Sequence, residues 1–394
     1  MSTASERAEI LKRTMVFSAL SEADLRALAP VFRPRVLADG QHLFKAGEPG
    51  DYLAVVVRGV LCVDVSSTPA VRASAGELGA FDVVGEMACL DPAPRSASVM
   101  ARGEVEVLIL TRVMLDALRI NAVGLFAAVI GGLSRRVTER VRETNARISK
   151  LLWARREAIK SPAGSIEGYF LDAASPTLHR GPLDLASLVA LRSFAPAELG
   201  ALQGAARALH FADGALLCRE SDPGASCFII CQGRADVVKI VGGRAYSFAS
   251  IAEGSLVGQM ALLDRVERSA TVRARGELVA LELSRDSFEA LLRAHSPLAV
   301  RFQELVTISG IRQLRLANAM LAFLIERGVQ TPSALAAQMP EVDAQHDELG
   351  ALAQAYLQTA LGEWNVTPSE LKNIRVAKLD GMISQAELQG RLKK

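Results

Sequence analysis

The chain has 394 residues, half of them hydrophobic, and its 45 basic and 43 acidic side chains leave a formal net charge of +2. This length predicts two or three domains, and the near balance of charge excludes a general attraction to nucleic acid or to an anionic membrane. The first residues lack the apolar core of a secretory signal. The most apolar stretch, residues 124–133, is about half of the ~20 residues that a membrane-spanning helix needs. We therefore expect a cytoplasmic protein that does not enter a membrane.

The first part of the chain has the pattern of a β-rich segment that begins after a short helix. Ser21 is placed as an N-cap, with Asp24 three residues later, and predicts a helix there. Short runs rich in Val, Ile and Leu, separated by Gly, Pro and Asp, then predict strands at residues 53–57, 60–65 and 105–110.

A long amphipathic helix is predicted after these strands. Its apolar stripe consists of Leu133, Val137, Val141, Ile148 and Leu152, which recur at steps of four, four, seven and four. Such a stripe predicts packing against another element or against a second copy of the chain in a homodimer. Residues 135–160 hold nine basic and three acidic side chains, and Trp153 is the one aromatic residue among them. We interpret the basic face as solvated rather than as a surface for nucleic acid or lipid.

The second half of the chain repeats this organisation after a segment rich in Pro, Gly and Ser. A helix is predicted to begin at Pro196, with strands at 228–231, 235–240 and 278–283, and the last part of the chain is rich in Ala and Gln. The predicted divisions are residues 1–160 for a first domain with its long helix, 161–185 for a linker, 186–329 for a second domain and 330–394 for a helical tail.

The two halves also resemble each other residue by residue. The run GEMACLDPAPRSASV, starting at Gly85, aligns with GQMALLDRVERSATV, starting at Gly258, at an offset of 173 residues. Upstream, the turn at residues 47–50 recurs at residues 221–224, at an offset of 174. A repeat this long indicates a duplicated domain rather than a solenoid.

The residue types in the repeated run suit a sugar phosphate. Gly85 and Ala88 are small enough to let the backbone approach an anion, and Arg95 offers a fork of donors to a phosphate. Ser96 can add a hydroxyl donor. Glu86 is an acceptor suited to a sugar hydroxyl.

This run resembles the phosphate-binding cassette of the cyclic-nucleotide-binding domain family, and both copies match it. The family includes the bacterial cAMP receptor protein and the regulatory subunits of cAMP-dependent protein kinase. The resemblance covers roughly residues 17–148 and 191–316. It implies an α+β fold with two double-stranded, jelly-roll-like β-rolls, each flanked by helices, and the helical C-terminal tail follows them.

The resemblance also implies two ligand sites. The first consists of Gly85, Glu86, Met87, Ala88, Arg95, Ser96 and Ala97, and the second of Gly258, Gln259, Met260, Ala261, Arg268, Ser269 and Ala270. The expected ligand is cAMP, with cGMP as the alternative. Gln259 stands where the family has Glu, and a neutral acceptor in place of a charged one typically costs about 1 kcal/mol, or roughly fivefold in affinity.

The helix after each roll covers the purine base in this family. In the first domain, the candidates for this contact are Arg136, Thr138, Arg140 and Thr144.

We interpret the chain as an intracellular receptor that passes ligand binding to an effector protein through helix movement. An enzyme is not expected, because the sequence has no phosphate-binding P-loop, dinucleotide fingerprint, zinc-protease motif or nucleophile elbow. Two alternatives stay open: a scaffold whose pockets have decayed, and a transcription regulator with a DNA-binding unit after Leu316. Residues 340–350 are acidic and no basic recognition helix follows, so DNA is not an expected partner.

No metal or resident cofactor is predicted. The five cysteines are odd in number and lie in apolar surroundings, and only Cys227 and Cys231 are close in sequence, without a His or a second Cys pair to complete a zinc site. Reduced, buried thiols are expected. Residues 379–388 resemble the second half of a calcium-binding loop, but Val376 and Lys378 occupy positions that need carboxylates.

Overall fold

A computed structural model of the chain describes residues 3–64, 74–154, 174–241, 244–293 and 296–327. These residues form two compact units, and the division falls between Arg136 and Val137. Residues 137–154, which the sequence analysis grouped with the first domain, pack in the second unit. Residues 174–185, which were predicted as the last part of the linker, also lie in the second unit. The rest of the predicted linker and the whole predicted tail lie outside the described residues, so those boundaries stay predictions.

The first unit consists of one antiparallel six-stranded sheet with helices before, within and after it. The helices are α1 (Ala4–Arg13), α2 (Glu22–Leu28), α3 (Glu86–Leu90), α4 (Arg112–Asn121) and the first part of α5 (Val123–Ala154). The strands are β1 (Arg33–Leu37), β2 (His42–Phe44), β3 (Tyr52–Asp64), β4 (Ser74–Leu78), β5 (Val83–Val84) and β6 (Ser98–Thr111). The main path of the sheet is β1-β6-β3-β4, while β2 pairs with β6 and β5 with β3.

The second unit repeats this arrangement in a seven-stranded sheet. Its strands are β7 (Thr177–Leu178), β8 (Arg207–Phe211), β9 (Leu216–Cys218), β10 (Ser226–Val241), β11 (Arg244–Ile251), β12 (Leu256–Val257) and β13 (Thr271–Ser284). Its helices are the second part of α5, α6 (Pro196–Gly204), α7 (Met260–Leu263), α8 (Arg285–Arg293) and α9 (Pro297–Arg327). The path is β11-β10-β13-β8-β7, with β12 beside β10 and β9 beside β13. The predicted α+β class with two antiparallel β units is confirmed.

Two of the long strands, β3 and β10, were each predicted as two shorter ones, which was wrong. Gly59 does not end β3 but adopts a φ of +90° within it, and the register with β6 shifts on either side. A Cβ atom here would lie 2.5 Å from the Glu104 carbonyl oxygen, so only glycine fits this bulge. Gly233 does the same in β10, with a φ of +86°.

The helix predictions agree with the structure where it describes them. The Ser21 hydroxyl accepts a hydrogen bond from the Asp24 amide and caps α2. The predicted stripe of α5 is buried, with each of its five side chains at most 2% exposed. Within the second unit, Ile148 and Leu152 pack with Met320 and Leu321 of α9. None of the helices in the described part of the chain combines the length and the apolar character that a membrane crossing requires.

Candidate functional site

The first cassette is built around a position that only glycine can occupy. Gly85 follows β5 directly, adopts a φ of +85° and precedes α3. A Cβ atom at this position would lie 2.7 Å from Nη1 of Arg95 and 2.9 Å from the carbonyl oxygen of Tyr52. The sequence analysis assigned Gly85 to close approach of the backbone to an anion, and the atoms that come close here belong to Arg95 and Tyr52.

Arg95 is buried and does not use all of its hydrogen-bond donors within the described part of the chain. Its side chain is 4% exposed, and Nη1 donates a hydrogen bond of 3.0 Å to the Gly85 carbonyl oxygen. The guanidinium carbon lies 4.0 Å from the ring centre of Phe44 and 4.6 Å from that of Tyr52. The Nε and Nη2 groups are also buried, and neither finds a hydrogen-bond acceptor among the residues that the structure describes. The site therefore contains a cation with two donor groups that can take an anionic ligand.

Burial also governs the electrostatics of this arginine. Desolvation lowers the pKa of the Arg95 guanidinium, and the neighbouring Tyr52 opposes that change. Desolvation raises the pKa of the Tyr52 hydroxyl, again opposed by Arg95. An arginine remains protonated despite such shifts. Its charge thus stays in a low-dielectric setting, where attraction to a phosphate is stronger than in water.

The upstream turn, residues 47–50, fixes the backbone of Arg95. The Gly47 amide donates to the Arg95 carbonyl oxygen at 2.9 Å, and the Arg95 amide donates to the Glu48 carbonyl oxygen at 2.8 Å. A Cβ atom on Gly50 would lie 2.2 Å from Cβ of Ala88 and 2.9 Å from Nε of Arg95. The turn and the cassette, which are about 40 residues apart in the sequence, therefore form one site.

The remaining predicted residues of the first site differ in exposure. Glu86 is fully buried, and its charge is one of the groups that raise the pKa of Arg95. Met87, Ala88 and Ala97 are buried as well. Ser96 is exposed, and its hydroxyl lies 3.9 Å from the sulfur of Met87. An exposed hydroxyl beside a buried guanidinium is available to a ligand that enters from solvent.

The second cassette has the same arrangement of a glycine and a buried arginine as the first. It differs in the acceptors of the arginine and in the residue that follows the glycine. Gly258 has a φ of +81°, and a Cβ atom there would lie 2.5 Å from Nη1 of Arg268. Arg268 is 6% exposed and donates to the carbonyl oxygens of Gly258 at 2.7 Å and Ser226 at 2.6 Å. Its guanidinium thus has one more backbone acceptor than that of Arg95. Gln259 is 1% exposed, and neither amide atom has a hydrogen-bond partner within the described ranges.

A cavity adjoins the second cassette within the second unit. Its empty space is about 770 Å³, which includes the part that is open to solvent. Among its lining residues are six of the seven predicted for this site: Gly258, Met260, Ala261, Arg268, Ser269 and Ala270. The strand residues Val237 and Ile251 form part of an apolar wall. Gln259 is the predicted residue that does not line it.

The long helices complete this cavity with residues that the sequence analysis did not assign to a site. Val141 and Asn145 of α5 line it, as do Gln313 and Leu316 of α9. Val141 was interpreted only as part of the packing stripe. The signal for Asn145 was its place four residues after Val141, on the same face of the helix.

None of the four candidates named for base contact lines this cavity. Thr138, Arg140 and Thr144 were predicted for the first domain but lie in the second unit. Arg136 lies 3.5 Å from the Asp82 carboxylate within the first unit. Thr138 is 3% exposed and Thr144 is 9% exposed. Their part in a ligand site stays a prediction.

All five cysteines are free thiols. Burial raises the pKa of Cys89 to about 12 and of Cys231 to about 11, and it raises that of Cys227 as well. No group of three or more His, Cys, Asp or Glu side chains in the described ranges is arranged to hold a metal ion.

Comparison with known proteins matches both cassettes to one family. The profile described as "Cyclic nucleotide-binding domain" matches residues 34–121 and again residues 208–295. A cAMP-dependent protein kinase regulatory subunit of Blastocladiella emersonii is 26% identical over 278 residues, which is 70% of this chain and 56% of that protein. The CRP-like cAMP-activated global transcriptional regulator of Mycobacterium tuberculosis is 28% identical over 145 residues, 37% of this chain and 63% of that protein. The chain thus spans less than two thirds of the length of these relatives.

Among solved structures, the regulatory domain of Toxoplasma gondii PKA with cAMP is 22% identical. It covers 74% of this chain and 92% of its own, with a TM-score of 0.28. A cyclic nucleotide-binding domain from Methylobacillus flagellatus is 29% identical over 36% of this chain and 81% of its own, with a TM-score of 0.34.

Proposed function

Because the chain carries two domains of the cyclic-nucleotide-binding family, we propose that it is a receptor that binds one cAMP molecule at each cassette. The observation that carries this proposal is the buried guanidinium of Arg95, whose Nε and Nη2 donors have no acceptor among the described residues. A buried donor without a partner costs about 1–3 kcal/mol. A cyclic phosphate would supply both acceptors and the opposite charge.

The other groups of the cassette match the rest of the ligand. The carboxylate of Glu86 is an acceptor for the ribose 2′-hydroxyl, and the exposed hydroxyl of Ser96 can donate to a phosphate oxygen. At the second cassette, Arg268 and Gln259 take the corresponding positions. The apolar wall of the second cavity suits the face of a purine.

The receptor transmits binding through its helices. The second cavity is lined by α5 and α9 as well as by the cassette. A ligand that contacts both helices favours the conformation in which they close on it, and the equilibrium shifts by the difference in affinity between the two conformations. We propose that an effector protein reads this helix conformation, and that the chain itself catalyses no reaction. The kinase regulatory relatives make a protein effector the expected class.

Calorimetric titration of the full chain, freed of bound nucleotide, tests this function. Two sites should saturate with cAMP, and Arg95→Ala and Arg268→Ala should each remove one of them, with a loss of at least about 100-fold in affinity. Matched controls are Arg102→Ala and Arg207→Ala, because both arginines are exposed and form ion pairs with Glu77 and Glu282. These controls should leave both affinities within about twofold.

Three outcomes would count against the proposal in different ways. No heat and no thermal shift with cAMP would overturn it and favour the scaffold of decayed pockets. Unchanged binding in both arginine variants would overturn the assignment of the cassettes. Saturation by cGMP at lower concentration than by cAMP would overturn the choice of ligand.

A further inference from the structure

Two side-chain amides are among the groups that line the second cavity. Gln313 of α9 donates from Nε2 to the Leu256 carbonyl oxygen at 3.2 Å, which fixes its orientation. Asn145 of α5 lines the same cavity, and its side-chain amide makes no hydrogen bond with any residue that the structure describes. An amide that offers both a donor and an acceptor in an apolar cavity is suited to recognise a polar edge of a ligand.

The turn of α5 that carries Asn145 is tied to the second cassette. Arg142 lies one turn earlier and forms a two-point ion pair with Asp264, in which Nη2 lies 3.0 Å from Oδ1. The same Nη2 group donates to the Glu267 carbonyl oxygen at 3.1 Å. Asp264 and Glu267 belong to the loop that leads directly into Arg268. The helix is thereby held against the loop that also positions the phosphate-binding arginine.

We infer that Asn145 is the residue that selects the base at the second site, and that the base it selects is adenine. This inference rests on the proposed function. The exocyclic amino group of adenine is a donor next to a ring-nitrogen acceptor, so one amide can bond to both. Guanine presents two acceptors on the corresponding edge, which a pair of arginine or lysine donors matches better. Asn145 therefore favours cAMP over cGMP at this site.

The selecting group comes from outside the segment that matches the family. The second match spans residues 208–295, whereas α5 precedes it in the chain. The residues concerned are also repeated: Arg142, Asn145 and Ala146 recur as Arg315, Asn318 and Ala319 at the cassette offset of 173. Asn318 of α9 does not line the second cavity. It is therefore a matched control of the same residue type on a similar helix.

The test uses the full chain with Arg95→Ala, so that the second site is the one that remains. Its affinities for cAMP and cGMP are measured by calorimetry for Asn145→Ala, for Asn145→Asp and for Asn318→Ala. Asn145→Ala should weaken cAMP binding about tenfold, the equivalent of about 1.4 kcal/mol, and leave cGMP binding within about twofold. Asn145→Asp keeps the size and the acceptor but removes the donor, so it should also weaken cAMP binding. Asn318→Ala should change neither affinity.

The outcomes separate this inference from the proposed function. If the second site binds cAMP and loses it on Arg268→Ala, the proposed function stands. A loss of cAMP preference confined to the Asn145 variants then supports the inference. Equal weakening of both nucleotides, or no change in either, would overturn the inference alone. If the Arg95→Ala chain binds no cyclic nucleotide at all, the second site and the inference both fail.

Discussion

The clearest chemical difference between the two cassettes is Glu86 against Gln259, and a reciprocal exchange of these residues should exchange their ribose recognition. Both side chains are buried, at 0% and 1% exposure. Water therefore cannot replace a contact with the ligand at either position. Glu86→Gln should weaken the first site for cAMP, and Gln259→Glu should strengthen the second.

The size of the effect follows from the charge of the acceptor. A hydrogen bond to a charged group contributes about 1.5–3 kcal/mol, against about 0.5–1.5 kcal/mol for a neutral pair. The difference of about 1 kcal/mol corresponds to roughly fivefold in affinity at each site. Because the two residues lie in different cassettes, each substitution should change the affinity of its own site independently of the other.

Titration with cAMP and with 2′-deoxy-cAMP measures this effect and isolates the hydroxyl. The fivefold changes should appear with cAMP and disappear with the 2′-deoxy analogue, which has no hydroxyl to donate. Equal changes with both ligands would refute the reasoning, because the acceptor would then act on another part of the ligand or on the shape of the pocket.

Two further predictions concern packing and thiol chemistry. Gly132→Ala should destabilise the chain by about 3 kcal/mol in urea unfolding, since its Cβ atom would lie 1.8 Å from the Val16 carbonyl oxygen. Gly131→Ala, whose nearest atom is 3.9 Å away, should instead stabilise by about 0.5–1 kcal/mol, and equal effects of the two changes would contradict the packing described here. At pH 8 the buried thiols of Cys89 and Cys231 should resist a thiol reagent in the folded chain and react once urea unfolds it. Rapid labelling of Cys89 in the folded chain would contradict its burial. Because folding raises the pKa of Cys89, the contribution of this thiol to the free energy of unfolding should be complete below about pH 9 and lost as the pH rises to about 12.

The sequence located both cassettes through their residue types and through the resemblance to a known family, and the structure shows why the glycines are needed. A glycine with a positive φ next to a buried arginine leaves few alternatives, and Gly85 and Gly258 both precede their arginines by ten residues. The upstream turn was visible for the same reason. Its Gly50 is required by close contact with Ala88, and its Gly47 adopts a φ of +83°.

The strand pattern was harder to predict because a glycine in a β segment can form either a turn that ends a strand or a bulge inside it. Gly59 and Gly233 lie in the gaps between predicted strands, whereas the structure has both as bulges inside continuous strands. A bulge and a turn both need a positive φ. The pairing partner decides between them, and the partner strand lies about 45 residues away in the sequence.

The helix contribution to the second cavity could not be predicted at all from local patterns. Arg142 contacts Asp264, which lies 122 residues later in the chain. Periodicity identified the buried stripe of α5 but not its partner. In the sequence, Asn145 is one polar residue on a basic helix. The structure is needed to show that it lies beside the cassette of the second unit.

The central claim is that each cassette holds one cyclic nucleotide, and native mass spectrometry of the nucleotide-free full chain counts them directly. With cAMP in excess, the spectrum should show a species with two added nucleotide masses, and Arg95→Ala or Arg268→Ala should each reduce it to one. A chain that gains no mass from cAMP, or a doubly occupied species that persists when both arginines are replaced, would contradict the account.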